Sequence, residues 1–193
     1  MKHWILALNL ALLLSGTSVT LAQDTGTDRP QSATALDFLI GVWHTVGGVP
    51  QEDGSYTQRP GMLIGEAAFQ GTEAPAIMVR THSLPHARTG DNPFGIRYFE
   101  DLSVYVFHPE AGTWSGVAHN TLGNRKWRDF VAADETEVVF FQRGELFQGV
   151  AGDIRFTYYN ISENHFDMRI DYRPSPDADW QMGTYRMSAD RLG

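Results

Sequence analysis

The chain has 193 residues, of which 42% are hydrophobic and 20% charged, and its formal net charge is −8. This length and composition are typical of one ordinary globular domain with enough apolar material for a core. Cysteine is absent from the sequence, which excludes disulfides, thiol catalysis and cysteine-ligated zinc. The acidic balance, without a cluster of Lys or Arg, argues against nucleic acid as a partner, because phosphate binding needs a basic stripe.

Residues 1–22 are predicted to be a secretory signal peptide. Lys2 precedes an apolar run from Trp4 to Leu14, and a small-x-small cleavage site ends at Ala22. The run is about half of the ~20 residues that a membrane-spanning helix needs, and no later segment approaches that length. We therefore expect cleavage near Ala22, export to the periplasm or the medium, and no membrane span.

Residues 23–34 form a polar lead-in rich in Asp, Thr, Ser and Gln, and residues 35–193 are predicted to form one domain. Short segments with strand character recur at roughly 8–12-residue spacing between turn signals, which favours an all-β fold. We predict a single antiparallel up-and-down β-barrel of about 8–10 strands, closed at one end by a short N-terminal helical turn. The predicted strands are Gly41–Gly48, Met62–Phe69, Ala76–Ser83, Leu102–Phe107, Thr113–His119, Lys126–Val131, Glu137–Gln142, Asp153–Tyr159, His165–Arg173 and Gln181–Met187.

The strand His165–Arg173 alternates most clearly. Phe166, Met168, Ile170 and Tyr172 share one face, and the charged residues between them share the other. A solvated outer face with salt bridges along the strand explains the charges better than a ladder for a ligand.

The segment Val138 to Phe141 is apolar on both faces of its strand. Its outer face must therefore be covered by a loop, by the N-terminal turn or by another subunit, which leaves a homodimer open.

Three segments carry a resemblance. Phe38-Leu39-x-Gly41-x-Trp43 looks like the opening of calycin-type barrels, which include lipocalins and fatty-acid-binding proteins. Together with Val106 to Trp114 and Ser175 to Trp180, it is similar to a bacterial family of lipocalin-like barrels with no assigned function. That family also has an Arg-Phe pair in the third-last strand, matched here by Arg155-Phe156, but it usually has Asp where this chain has His108. The resemblance covers nearly all of residues 36–190 and implies the barrel fold.

The opening motif has a structural role. Gly41 lets the chain bend sharply into the first strand, and Trp43 closes the end of the barrel with a large apolar ring. The resemblance to lipocalins implies an arginine of the last strand above that ring as a cation–π partner. Arg186 is the first candidate for this position and Arg191 the second.

No catalytic, metal-binding or cofactor motif stands out. His82 and His86 have metal-like spacing, but Pro85 lies between them, so they belong to a loop rather than to one face of a helix. Barrels of related shape are known to bind haem through one histidine, and His119 is the candidate for this role here. A histidine at a strand end more often hydrogen-bonds a loop carbonyl. The nucleophile-elbow, P-loop and dinucleotide-binding patterns are all absent from the sequence. We expect neither metal nor cofactor, and no catalytic residue is assigned.

The function that fits this fold is the binding of an apolar or amphipathic small molecule in the lumen. An enzyme of the isomerase or cyclase type that uses the lumen as its active site is the alternative, as is a structural module with a filled barrel. A register error of one residue would exchange the two faces of a strand and invert the choice of lumen residues. The candidate ligand-binding residues are Arg80, His82, His119 and Arg155 as polar groups, with Trp127 and Tyr158 as walls.

Overall fold

The computed structural model describes residues 33–83, 100–121, 125–133, 136–147 and 150–193. A short 3-10 turn, Asp37–Leu39, precedes ten strands. The strands are β1 (Gly41–Gly48), β2 (Arg59–Ala68), β3 (Ala76–Ser83), β4 (Glu100–His108), β5 (Thr113–Asn120), β6 (Arg125–Ala133), β7 (Glu137–Phe147), β8 (Val150–Tyr159), β9 (His165–Arg173) and β10 (Gln181–Arg191).

The ten strands form one closed antiparallel barrel. Each strand pairs with the next along the chain, and β1 closes the barrel by pairing with β10. The predicted all-β, up-and-down barrel with a short helical turn in front is therefore confirmed, and the architecture fits a calycin-like or lipocalin-like fold. The predicted signal peptide lies outside the described residues.

Alternation along β1 shows which face is inside the barrel. Trp43 and Thr45 are buried, whereas Val42 and His44 are exposed, so the odd-numbered residues of this strand point inward. The register transfers this assignment across the sheet, because directly opposed residues share a face. Trp43 lies opposite Leu63, and further along the sheet Thr81 lies opposite Asp101.

One end of the barrel is closed by the 3-10 turn. The turn packs beneath the start of β1, where Leu39 and Trp43 are fully buried and the Trp43 Nε1–H donates to the Leu39 carbonyl at 3.3 Å. Phe166 of β9 contacts the Trp43 ring edge-on at 4.9 Å between centroids, and Phe38 contacts Phe166 at 5.3 Å. Aromatic rings thus fill this end, as the role predicted for the opening motif requires.

The outer face of β9 is charged, but it is not simply solvated. Asp171 is fully buried on that face, between the guanidinium groups of Arg155 and Arg169. The adjacent outer residue Phe141 is also buried, because Trp180 of the β9–β10 loop lies against it at 5.4 Å between ring centroids. A loop therefore covers the apolar outer face predicted for β7 at Phe141, which was one of the predicted alternatives.

Within the described part of the chain, no helix is both long enough and apolar enough to cross a membrane.

Candidate functional site

Three alternate residues of β4 form the base of a polar cluster inside the barrel. Asp101, Ser103 and Tyr105 are all buried, and their spacing of two puts them on the inward face. Tyr105 lies opposite Gly116 of β5, and Gly116 lies opposite Arg128 of β6. The strand register thus places an arginine next to a carboxylate and two hydroxyl groups in the lumen.

Arg128 is the centre of this cluster. Its Nη1 donates to Tyr105 Oη at 2.7 Å and to Ser103 Oγ at 2.9 Å. Its Nη2 lies 3.9 Å from Asp101 Oδ2, and the Ser103 hydroxyl donates to the same carboxylate oxygen at 2.7 Å. The face of the guanidinium stacks on Phe156, 4.2 Å from the ring centroid. These contacts hold the cation in one orientation against the barrel wall.

The surroundings keep Arg128 charged. Burial by itself lowers the pKa of its guanidinium, but interactions with Tyr105, Asp101 and Tyr158, including the hydrogen bond to Tyr105, outweigh burial and raise that pKa above its ordinary value.

Tyr158 extends the cluster from β8. Burial raises the pKa of the Tyr158 hydroxyl well above its ordinary value, and the neighbouring Tyr105 raises it further. Tyr158 is therefore a protonated phenol at neutral pH, which suits it to donate a hydrogen bond and not to accept a proton as a base. Its ring also contacts Phe38 at 5.5 Å, which links the polar cluster to the closed end.

Gly116 makes room for the cluster. A Cβ atom at this position would lie 2.7 Å from Cδ1 and 2.8 Å from Cε1 of the Tyr105 ring. Only glycine therefore lets that ring lie flat over β5 and reach Arg128.

One buried donor of the cluster is not paired within the described part of the chain. The buried Nε–H of Arg128 has no hydrogen-bond partner among the described residues. An unsatisfied buried donor costs about 1–3 kcal/mol, so such groups are usually paired with protein, water or ligand. The Nε–H is therefore the group of the cluster that still lacks an acceptor among the described residues.

Several of the predicted lumen residues lie outside the barrel instead. Arg80 on β3 and His119 on β5 are both exposed, and each is paired with Leu102 of the intervening strand β4. Leu102 is itself exposed on the outer face of β4. His82 shares the outer face of β3 with Arg80, and its Nδ1 lies 3.6 Å from Glu100 Oε1. The predicted placement of these three in the lumen is wrong, because the inward residues are Ile77 and Val79 on β3 and Trp114, Gly116 and Ala118 on β5.

Of the other predicted lumen residues, Tyr158 does lie inside, at the polar cluster. Arg155 lies on the outer face, where it binds Asp171 at 2.9 Å and stacks on Trp180 at 4.6 Å, so its predicted placement in the lumen is also wrong. The backbone of Trp127 lies opposite Val117, and its side chain is outside the described residues.

The structure places two of the three predicted plug residues at the closed end. Gly41 has a φ of 133°, a conformation that favours glycine, and the Trp43 ring lies beneath a guanidinium as expected. That guanidinium belongs to Arg191, the second candidate, at 4.1 Å from the ring centroid. Arg186 is exposed on the outer face of β10 and lies over Tyr56 at 4.8 Å, so its assignment to Trp43 is corrected.

The sequence analysis missed Arg128, Asp101, Ser103 and Tyr105. A signal was present in the pattern Asp-x-Ser-x-Tyr, since a strand puts alternate residues on one face. In β6, choosing the even-numbered residues as the inward face would likewise have placed Arg128, and not its neighbour Trp127, in the lumen.

Within the described ranges, no group of three or more His, Asp or Glu side chains is arranged to hold a metal ion. No protein-family profile matches the chain, and no curated protein is significantly similar to it. The lumen cluster is therefore interpreted from its own geometry.

Proposed function

We propose that the protein is a binding barrel that holds an apolar or amphipathic small molecule in its lumen, with a polar atom of the ligand at Arg128. The unpaired, buried Nε–H of Arg128 carries this proposal. Ligand pockets are mostly apolar with a few fixed polar groups, and here Phe156 lies against the Arg128 guanidinium while Phe140 packs against Tyr105. Barrels of similar strand number hold one small ligand.

We further propose that the barrel works after export, in the periplasm or the medium. The support is the pattern of residues 1–22, with its cationic start, apolar run and small-x-small cleavage site. The mass of the protein recovered from outside the cytoplasm tests this proposal. A mature chain that begins at Gln23 agrees with it, and an intact chain retained in the cytoplasm contradicts it.

An enzyme that uses the same lumen is the second candidate. A buried phenol with a raised pKa, Tyr158, lies in the same cluster as the Asp101 carboxylate, and perturbed groups of this kind gather at active sites. Hydrogen-bond donation by the neutral Tyr158 phenol to a substrate oxygen is the chemistry that this pair of groups suits.

Native mass spectrometry of the protein purified from its own host tests the function directly. A binding protein carries a stoichiometric small molecule, whereas an enzyme converts an added candidate substrate and releases the product. Quenching of tryptophan fluorescence by fatty acids, retinoids and porphyrins gives affinities for added molecules.

Arg128→Met is the informative variant in these titrations, and Arg186→Met on the outer face is its control. We expect the first substitution, and not the second, to weaken binding at least tenfold. A protein without a co-purified molecule that binds nothing more tightly than ~100 μM, about −5.5 kcal/mol, would contradict the proposal and indicate a filled structural barrel.

A further inference from the structure

The outer face of strands β2 to β5 is mostly apolar. Alternate residues of a strand share a face, and the inward residues of these four strands are the buried ones, so the residues between them point outward. The register between the strands places the apolar outward residues side by side. Together they form what we call the outer patch, which consists of Met62, Ile64, Met78, Leu102, Val104, Val106 and Val117.

The outer patch is exposed at its centre. Met78 and Leu102 lie on adjacent strands and are 39% and 41% exposed. Neighbouring strands are about 4.8 Å apart and alternate residues about 6.8 Å apart, so four strands by three rows cover roughly 400 Å². A contiguous apolar patch of this size on a protein surface is often functional.

The opposite wall of the barrel has a different outer face. The outward residues of β9 are all charged, and each belongs to an ion pair, namely Asp167, Arg169, Asp171 and Arg173. A sheet that faces water normally carries polar residues of this kind on its outside. The apolar outer face of β2 to β5 therefore indicates a partner on that side of the barrel.

Two charges of opposite sign lie within the outer patch. In the pairing of β2 with β3, Arg80 is opposite Ile64 and Glu66 is opposite Met78, so the two charges occupy diagonal positions. Both residues are exposed, and neither forms an ion pair with a described residue. The outward charged residues of β2 to β5 are these two and Glu100. An anionic membrane or a nucleic acid needs a surplus of cations, whereas this face has a small surplus of anions.

We infer that the outer patch binds a second copy of this chain. A twofold interface brings the same surface of both copies together, so each contact between two different residues occurs twice. Arg80 of one copy then meets Glu66 of the other, and Met78 and Leu102 are removed from water at the centre. A standard interface buries about 800 Å² per partner, so the polar rim of the patch supplies about half of the contact.

Met78→Lys tests the apolar centre. Sedimentation equilibrium of the mature chain measures the dissociation constant, and we expect a reversible dimer that this substitution weakens at least tenfold, because it buries a charge in the interface. Met182→Lys is the matched control, since Met182 is 55% exposed on β10 and lies outside the outer patch. A native chain that stays monomeric up to ~100 μM, or equal dissociation constants for the two variants, would overturn the inference.

Charge reversal tests the twofold contact. Arg80→Glu and Glu66→Arg each place like charges opposite one another, so we expect either variant alone to dimerise at least tenfold more weakly. An equimolar mixture of the two variants has opposite charges at both contacts, and it should form a heterodimer with the native affinity. Native mass spectrometry distinguishes this heterodimer by mass, and circular dichroism shows whether each variant is folded.

An ion pair within one chain gives a different result from a pair across the interface. Mixing cannot restore a pair between two residues of the same chain, because each variant still carries two like charges. Folded variants that both lose the dimer and stay monomeric in the mixture would therefore overturn the contact between Arg80 and Glu66. Folded variants that both dimerise with the native affinity would place the interface elsewhere and overturn the inference.

Discussion

The guanidinium of Arg191 covers the indole of Trp43, with its central carbon 4.1 Å from the ring centroid. The same side chain donates from Nη1 to the Ile40 carbonyl at 3.0 Å and from Nε to the Glu163 carbonyl at 2.6 Å. One arginine thus joins the last strand, the 3-10 turn and the β8–β9 loop over the closed end. A Cβ atom at Gly41 would collide with this guanidinium, so the glycine is needed for space as well as for its positive φ.

We predict that Arg191→Met lowers the free energy of unfolding by about 1–2 kcal/mol, the range for a partly desolvated cation–π contact. The variant also shifts the NMR signal of the Trp43 indole N–H, because the cation above the ring is lost. Arg186→Met is the control, since this exposed residue lies over Tyr56, and it should leave the indole signal in place. The reverse result would restore Arg186 as the partner of Trp43.

Asp171→Asn should be strongly destabilising. The carboxylate is fully buried and accepts hydrogen bonds from Arg155 at 2.9 Å, from Arg169 at 3.1 Å and from the Gly183 N–H at 2.7 Å. Removing its charge leaves two guanidinium groups without their counterion, and breaking a buried ion pair costs about 3–5 kcal/mol. Urea unfolding measures the loss.

Asp167→Asn is the matched control on the same outer face of β9. Its carboxylate is 21% exposed and we expect a loss below about 1 kcal/mol, as for surface pairs. Equal losses in the two variants would show that the burial of Asp171 has no energetic weight.

The sequence predicted the barrel because turn signals and strand segments do not depend on which face is inward. It also predicted the faces of β9, where Phe166 and Met168 alternate with charged residues and are buried inside. It failed on β5, where Ser115, Val117 and His119 are as plausible for a lumen wall as their neighbours. In the structure, the inward face of β5 is set by its pairing with β4, which puts Gly116 beside the inward residue Tyr105. Pairing between strands is a long-range property, and one sequence does not show it.

The lumen cluster was missed for a related reason. A lone arginine in a strand is normally on the solvent side, so Arg128 carries no local sign of burial. Arg128 can lie inside because Asp101 and Tyr105 bind its guanidinium and so offset the cost of burying its charge. Both residues are more than 20 positions away along the chain. The choice between Arg186 and Arg191 failed because the β10 pairing contains a bulge between Gln181 and Tyr185, and because the strand extends to Arg191.

His165 should make stability depend on pH. A hydrogen bond to Asp190 raises the pKa of its imidazole, burial lowers it in part, and the nearby Asp167 raises the pKa further. The distance is 2.7 Å from Nδ1 to Asp190 Oδ1 and 3.4 Å from Nε2 to Asp167 Oδ1. The folded pKa is above the ordinary value of about 6.5, so the stabilisation is complete below that value and is lost as the pH rises through the folded pKa.

The measurement compares the unfolding free energy of the native chain with that of His165→Gln at pH 5.5 and at pH 8.5. We expect the native chain to be favoured more at pH 5.5, by less than about 1 kcal/mol because the pairs are exposed. His119→Gln is the control, since His119 is exposed on β5 and lies opposite Leu102. If the unfolding free energies of the native chain and His165→Gln differ by the same amount at both pH values, the prediction is contradicted.

Gly116→Ala tests the link between barrel packing and the lumen cluster. The new methyl group would lie 2.7 Å from the Tyr105 ring, so the ring must move away from β5. Overpacking of this kind costs about 1–3 kcal/mol of stability. The movement also lengthens the 2.7 Å hydrogen bond from Arg128 to Tyr105, and therefore we expect the pKa of Tyr158 and the affinity for lumen ligands to change together.

Spectrophotometric titration of the tyrosines measures the change in the pKa of Tyr158. Quenching of tryptophan fluorescence measures the change in ligand affinity. Gly71→Ala is a suitable control, because a Cβ there meets no atom within 4 Å; its positive φ of 77° lowers stability without touching the lumen. If Gly116→Ala lowers stability no more than the control and leaves ligand affinity unchanged, then Tyr105 does not hold Arg128 in its binding orientation. Loss of affinity in Gly116→Ala alone would show that the close contact of this glycine with Tyr105 maintains the binding geometry at Arg128.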